Sequence, residues 1–391
     1  MDGRLLTRPF VLVWASTLGV FLSIGMLFPV LPLFAKGPLD AGNVGVGLAV
    51  AAASPTAFLL QPVAGRLGDR HGRRTLIVAG SFLAAAAATL YVAADSLPSL
   101  VALRLATGAA EAFVFVGTAT VINDLAPDHR RGEAVSLYSL AVWGGLAAGP
   151  VVGELVLGDD RFDAVWLAAA ASTAMAGVVG LAIPETRPHG LARAGRARLF
   201  HPAALGPGAV LIVAIFGFAA MTTFATLYAR ELGLDGAGLV FALNAVVVVI
   251  LRSVGRRIPD RAGPRRTAVI SILIAVCGLA VIATVRSPAG LYLGTAVLAV
   301  GQALSFPALM TLVVATAPAA ERSSAVGSFS ACADLGYALG AISLGVVASV
   351  VGYAGVFAVA ACVVATGLVP LARMRVHVRT PATAAAVDAP P

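Results

Sequence analysis

The chain has 391 residues, of which 59% are hydrophobic and 12% charged, and its mean hydropathy is +0.93. A water-soluble domain carries about 25% charged residues, and half that supply cannot cover the surface of a soluble globule. The net charge of +8 would suit a nucleic-acid partner, but the arginines are spaced as a membrane topology requires, and this argues against nucleic acid.

The charges are bunched, and the stretches 9–35, 41–65, 75–94, 134–153 and 267–285 contain none. A hydrocarbon core about 30 Å thick is crossed by about 20 apolar helical residues. The pattern predicts an all-α membrane protein of twelve transmembrane helices, near 10–35, 44–64, 75–94, 98–122, 134–157, 164–183, 208–229, 237–254, 267–285, 288–314, 325–349 and 353–372. The first run is too long for a signal-peptide core and carries Pro29 and Pro32, so it is expected to stay as the first helix. With the N-terminus in the cytoplasm, only Lys36, Arg161, Arg230 and Arg286 of the 27 basic residues fall outside. Arg104 lies within a helix, and all the others fall inside. That asymmetry sets an inner-membrane orientation with both termini cytoplasmic.

The segment Pro184–Pro207 is the long hydrophilic interruption and reads as a cytoplasmic linker. It divides the chain into a six-helix bundle at 1–183, the linker at 184–207, and a second six-helix bundle at 208–391 that ends in a short cytoplasmic tail. The halves repeat at an offset of 191 residues. Asp69, Arg70 and Gly72 map onto Asp260, Arg261 and Gly263; Pro127 and Arg131 map onto Pro318 and Arg322; Gly145 and Gly149 map onto Gly336 and Gly340. Parallel repeats of this kind belong to transporters whose site lies between the halves near the midplane.

Three motifs stand out. The loop after helix 2 reads Gly65-Arg-Leu-Gly-Asp69-Arg70-His-Gly72-Arg73-Arg74. Glycines there permit a tight turn, Asp69 can sit on a helix N-terminus of the other half, and the arginines can pair with Asp124 at the end of helix 4. Helix 4 carries Leu100-x-x-x-Arg104-x-x-x-Gly108-x-x-Glu111, with the acid two turns from the arginine on the same face. Helix 5 carries Gly145-x-x-x-Gly149-Pro150-x-x-Gly153-Glu154, whose glycines allow close helix packing. Together these resemble the major facilitator superfamily, and the Pro-Val-x-Pro close of helix 1 is similar to that of its twelve-helix drug:proton antiporters. The resemblance implies that the loop is a conformational latch of the outward-facing state. It also implies that the helix-4 arginine is linked to proton transfer, and that the helix-5 motif marks exporters. The chain departs from the pattern in two places. Helix 1 has no acid, and Glu154 stands where a second glycine is expected; it reads as a solvated carboxylate near the outer mouth.

An ionisable residue inside the bilayer is by default functional. Glu111 is the expected proton carrier, tuned by Arg104, and Asp334 of helix 11 is the other carboxylate within a span. Phe28, Phe115, Trp143, Phe218, Asn244, Gln302, Phe306 and Tyr337 are the candidate cavity residues. Cys277, Cys332 and Cys362 fall inside predicted spans and read as packing residues, and no cluster suggests a metal, cofactor or enzymatic nucleophile. No nucleotide-binding loop is present. The reading is a monomeric, proton-coupled exporter of small amphipathic or lipophilic compounds that works by alternating access. Export of a polar metabolite such as a sugar or amino acid is the alternative, followed by an uptake symporter; a channel or membrane enzyme fits the paired halves less well. Cysteines placed in 184–207 should be labelled only from the cytoplasm and those near Asp40 and Asp160 only from outside. Labelling of the linker from outside would reverse the topology.

Overall fold

The computed structural model of the chain describes residues 6–127, 130–186, 201–254, 263–317 and 322–374; among these the regular structure is helical, without a strand. The helices are α1 (Arg8–Lys36), α2 (Asn43–His71), α3 (Arg73–Leu90), α4 (Leu97–Leu125), α5 (Arg131–Leu157), α6 (Phe162–Leu181), α7 (Pro202–Glu231), α8 (Gly238–Val254), α9 (Pro264–Thr284) and α10 (Pro288–Thr316). A last run, Arg322–Thr366, has 45 residues, more than twice what a bilayer needs. It breaks at Gly352, whose φ of 72° glycine adopts without steric cost. The break gives α11 (322–351) and α12 (353–366), and Leu368–Arg373 follows as a short extension. Among the described residues ten runs are long and apolar enough to cross a membrane, α8 is a shorter apolar helix, and Gly352 divides the last run, in agreement with the twelve expected spans.

Two boundaries differ from expectation. Helix α7 begins at Pro202 rather than 208, because Pro202 fits the first helical turn and His201 caps it, its Nδ1 accepting from the Ala203 N–H at 3.1 Å. Pro207 therefore lies inside the helix. Helix α2 runs on to His71, so most of the motif after helix 2 is helical and only Gly72 (φ 99°) turns the chain. Residues 187–200 of the linker, Asp260, Arg261 and Pro318 of the repeat, and the tail beyond 374 lie outside the described residues.

The repeat is visible in the backbone as well as in the residues. Gly72 and Gly263, 191 apart, precede α3 and α9 with positive φ of 99° and 85°. Ser96 and Ser287 are the N-caps of α4 and α10, and Ala126 and Ala317 close the same two helices in extended conformation. Serine at such a position satisfies a free N–H of the first turn.

Within the first bundle α5 packs on α1 through its glycine motif. A Cβ at Gly149 would lie 2.5 Å from Gly25 Cα, one at Gly145 2.6 Å from Leu22 N, and one at Gly153 2.6 Å from Met26 O. No larger residue fits while the backbones stay this close. The counterparts Gly336 and Gly340 bring α11 against α7 in the second bundle, where a Cβ on Gly336 would lie 2.6 Å from Ile212 O. The halves face each other along α2 and α11, α5 and α8, and α1 and α7.

Candidate functional site

Helix α2 carries Pro55, which has no N–H to return to the preceding turn, and the helix is irregular at Ala52. Arg104 of α4 occupies the carbonyls ahead of this irregularity. Its Nε donates to Ala49 O and its Nη2 to Val50 O, each at 3.3 Å, while Nη1 is buried without a partner. Gly108, one turn further along α4, makes the approach possible, since a Cβ there would collide with the Ala53 carbonyl. The guanidinium is thus held inside the bundle, 7% exposed.

Two turns along α4 from Arg104, Glu111 is in electrostatic contact with it, and Glu111 Oε1 is buried without a hydrogen-bond partner. Across the boundary between the halves, Asp334 of α11 lies within electrostatic reach of Glu111, and its Oδ2 accepts from Gln61 Nε2 of α2 at 3.0 Å. Tyr337, one turn on from Asp334, is within reach of both Arg104 and Glu111, and its hydroxyl is 3.0 Å from that of Thr222. The structure therefore gathers Arg104, Glu111, Asp334, Gln61 and Tyr337 at one junction of α2, α4 and α11. Sequence spacing relates Glu111 to Arg104 and puts Asp334 on one face with Tyr337, toward either the cavity or the Arg104 side; the structure brings the two groups to one junction.

Beside the junction, a small cavity lies between α1, α5, α7 and α8. It is lined by Phe28, Trp143, Leu146, Ala147, Phe218, Met221, Thr222, Phe241, Asn244, Ala245 and Val248. The Phe218 ring is central, with Phe28 at 5.9 Å, Tyr337 at 5.8 Å and Trp143 at 6.4 Å between centroids. Asn244 donates to Gln302 Oε1 at 3.3 Å, leaving Gln302 Nε2 buried and unpaired. Gln302 and Tyr337 touch the lining only through Asn244 and Phe218, and the remaining two expected cavity residues pack elsewhere. Phe115 lies against the first-half cluster of Phe10, Ile77, Ile122 and Tyr138, and Phe306 packs on Phe329 with the rings tilted and their centroids 5.4 Å apart. Periodicity places an aromatic on a face but does not say which neighbour that face meets.

At the arginine-rich end, Arg73 is the organising residue. It is buried, with Nη1 2.8 Å from Asp124 Oδ2 and 2.9 Å from Thr186 O. The carboxylate of Glu185, just past α6, accepts from the N–H groups of Arg73 (2.9 Å) and Arg74 (3.3 Å) at the start of α3, where the helix dipole favours an anion. The expectation had placed Asp69 on a helix N-terminus of the other half. Here Glu185 of the same half holds such a position, while Asp69 is 64% exposed and 3.7 Å from Arg73. Arg70 is exposed, and Gly65 has nothing within 4 Å of its Cβ position. The signal for Glu185 was its place immediately after helix 6.

The opposite end is bridged by a contact that the sequence reading missed. Glu154 is half-buried, and its two oxygens accept from the N–H groups of Ala237 and Gly238, both at 2.6 Å, at the N-terminus of α8 in the other half. Gly236 and Gly238 make room, since a Cβ on either would lie within 2.7 Å of that carboxylate. Arg230 reaches Asp160 at 3.3 Å, and the Tyr353 hydroxyl donates to Asn43 Oδ1 at 3.3 Å. A residue read as a solvated departure from the glycine motif is instead a clamp between the halves. Among the described residues no group of three His, Cys, Asp or Glu side chains could hold a metal.

Comparison with known proteins bears on this geometry. The profile described as Major Facilitator Superfamily matches residues 13–291 and 209–390. An MFS-type transporter of Salmonella typhimurium, STM4428, is 29% identical over 87% of this chain and 90% of its own. The staphylopine export protein of Staphylococcus aureus is 27% identical over 88% of this chain and 90% of its own. Among solved structures, the human organic anion transporter MFSD10 (TETRAN) superposes with a TM-score of 0.70 at 19% identity, covering 93% of this chain and 99% of that one. A bacterial homologue of the human lysosomal transporter Spinster gives 0.77 at 13% identity, over 95% and 96%.

Replacing Glu154 by Gln removes one acceptor oxygen and the charge. Hydrogen bonds to an ionised group contribute about 1.5–3 kcal/mol each, so the bridged end should open more often. A cavity cysteine at Met221, in a background without native cysteines, should then react several-fold faster with an impermeant maleimide supplied at that end. An unchanged rate would show that the carboxylate does not hold the end closed.

Proposed function

This chain belongs to the Major Facilitator Superfamily, and from that premise we propose that it is a proton-coupled exporter of small amphipathic or lipophilic compounds. Members of this family are transporters, so the chain is a multi-pass membrane protein that moves small molecules and is not an enzyme. In the proposed orientation both termini and the arginine-rich end face the cytoplasm of a cell whose inner membrane holds the protein as a monomer. The bundles 1–183 and 208–391 rock about the central cavity, joined by the linker 184–207.

One observation carries the coupling: Glu111 and Asp334, from opposite halves, lie within electrostatic reach of each other at a buried junction. Two negative charges in a medium of low dielectric repel strongly, and a proton on either removes that repulsion. Protonation then favours the arrangement in which Glu111 and Asp334 lie within reach of each other and Glu154 bridges the halves. Loss of the proton favours their separation, and the substrate uses the other half of that cycle. Arg104, fixed to α2, limits the charge that the pair must bear. The latch residues Gly65, Asp69, Arg70, Gly72, Arg73 and Asp124 would engage the second half only when the Glu154 end opens. That role agrees with an Asp69 side chain whose described partner in this conformation, Arg73, belongs to its own half.

Outward transport is supported by the Gly145, Gly149, Pro150 and Gly153 motif and by a relative named as an export protein. The aromatic cavity walls favour an amphipathic or lipophilic substrate. The Asn244–Gln302 amide pair is what the alternative, a polar metabolite, would use.

The coupling is tested in proteoliposomes with an imposed pH gradient and a panel of amphipathic aromatic compounds of either charge. Glu111→Gln should abolish accumulation against a gradient while exchange at equal pH persists, and Asp334→Asn should reduce accumulation at least several-fold. Wild-type accumulation by Glu111→Gln would remove the proton from that residue. Loss only in Asp334→Asn would place it in the second half.

A further inference from the structure

The chain carries another guanidinium within its spans that the coupling scheme does not use. Arg252, near the arginine-rich end of α8, folds across the boundary between the halves and stands 4.1 Å over the Trp143 ring of α5. That tryptophan is part of the cavity wall, and Val248, one turn before Arg252 on α8, lines the cavity too. Arg104 has two carbonyls to satisfy it, but Arg252 has none: its Nε is buried without a partner, and no described acid lies within electrostatic reach of it. The described intramembrane acids are already engaged, Glu111 and Asp334 at the junction and Glu154 on the α8 N-terminus. A cation left unpaired in a membrane is costly, and such residues mark substrate pathways. Gln302 Nε2, bonded through its own oxygen to the cavity-lining Asn244, is a second buried donor without an acceptor.

Resting on the transporter reading above, we infer that the cavity takes organic anions, an aromatic or apolar body among Phe28, Trp143 and Phe218 with a carboxylate or similar acidic group against Arg252. The guanidinium offers two parallel N–H donors, the geometry that a carboxylate accepts, and its stack on Trp143 holds it in place between turnovers. The side of the guanidinium that meets the ring is apolar in character, and its edge is what a ligand would engage. Arg252 lies outside the electrostatic range of Glu111 and Asp334, so the anion site and the proton site communicate through the movement of the halves and not through direct charge competition.

The same chemistry could come from a lipid phosphate near the membrane edge, and the test separates the two. Full-length protein in phosphatidylcholine nanodiscs is titrated with radiolabelled 4-phenylbutyrate and, in competition, with its neutral amide and with 4-phenylbutylamine. These three share one body and differ in charge. The carboxylate should bind about tenfold or more tighter than the amide, as expected of a desolvated charge pair, and the amine weakest. Arg252→Gln should erase the preference, and Arg252→Lys should restore part of it. Asn244→Asp, which adds a negative charge to the cavity wall without touching Arg252, should turn the preference toward the amine. Equal affinity for all three compounds, no binding of the carboxylate, or a wild-type preference in Arg252→Gln would overturn the assignment. If phosphatidylglycerol in the disc removes the preference, the partner of Arg252 is a lipid phosphate and the substrate assignment fails. These are equilibrium readouts. Failure of the transporter reading would appear separately, as absence of gradient-driven movement by a protein that still binds.

Discussion

Charge in hydrocarbon has to be held by something, and the way this chain holds it determines where its halves can meet. An ionised group inside a bilayer is tolerated only against carbonyls, N–H groups, opposite charge or a polar cavity. Arg104 takes the carbonyls at the irregular turn of α2, Glu154 takes the N–H groups at the start of α8, and Glu111 and Asp334 lie within electrostatic reach of each other across the boundary. Each solution involves two helices, and those of Glu154 and of the Glu111–Asp334 pair involve both halves. Moving one half against the other therefore alters the environment of a charge, and altering that charge biases the movement. This is the physical content of coupling.

The glycines set the complementary condition. Rocking requires that each half move as a body, and α5 on α1 and α11 on α7 are locked by glycine-mediated backbone contacts that no side chain could occupy. Packing this tight has few intermediate arrangements. The boundary between the halves adds side-chain hydrogen bonds, ion pairs and ring edges, and near its arginine-poor end α2 and α11 also meet backbone to backbone, where a Cβ on Gly47 would collide with the Ala341 carbonyl and one on Gly345 would lie 2.7 Å from Asn43 O. At the arginine-rich end, Arg73, Asp124 and Glu185 consolidate the first half internally, and at the other end Glu154 ties the halves together. Among the described residues the two ends thus differ in the kind of contact they make, as alternating access requires of any single state.

Much of this was legible in the sequence, because the relevant signals are local. Charge-free runs set the spans, arginine counts set the proposed orientation, and the 191-residue offset anticipated matching backbone at Gly72 and Gly263. What escaped was of two kinds. One was the reach of local chemistry: a proline was taken as a helix boundary at 207, although His201 and Pro202 start α7 earlier. A glycine-rich motif was taken as a loop, although only Gly72 turns. The other was contact between distant segments. Nothing in the spacing of helix 4 says that Glu111 comes within electrostatic reach of a carboxylate more than 200 positions on. Nor does helix 5 announce that Glu154 ends on the N–H groups of α8, or helix 8 that Arg252 lies over Trp143. These depend on helix rotation and on which bundle faces which, and a single sequence does not encode those as periodicity.

The central claim is that proton occupancy at the Glu111–Asp334 junction sets the relation of the two halves. Its most direct test is the distance between spin labels at Val92 and Val285, near the arginine-poor ends of α3 and α9 on opposite halves, measured by pulsed electron resonance from acidic to alkaline pH. Wild-type protein should show the shorter distance when protonated and a growing population of a longer one as pH rises, while Glu111→Gln should stay short throughout. A distribution indifferent to pH, or a Glu111→Gln variant that responds as the wild type does, would contradict it.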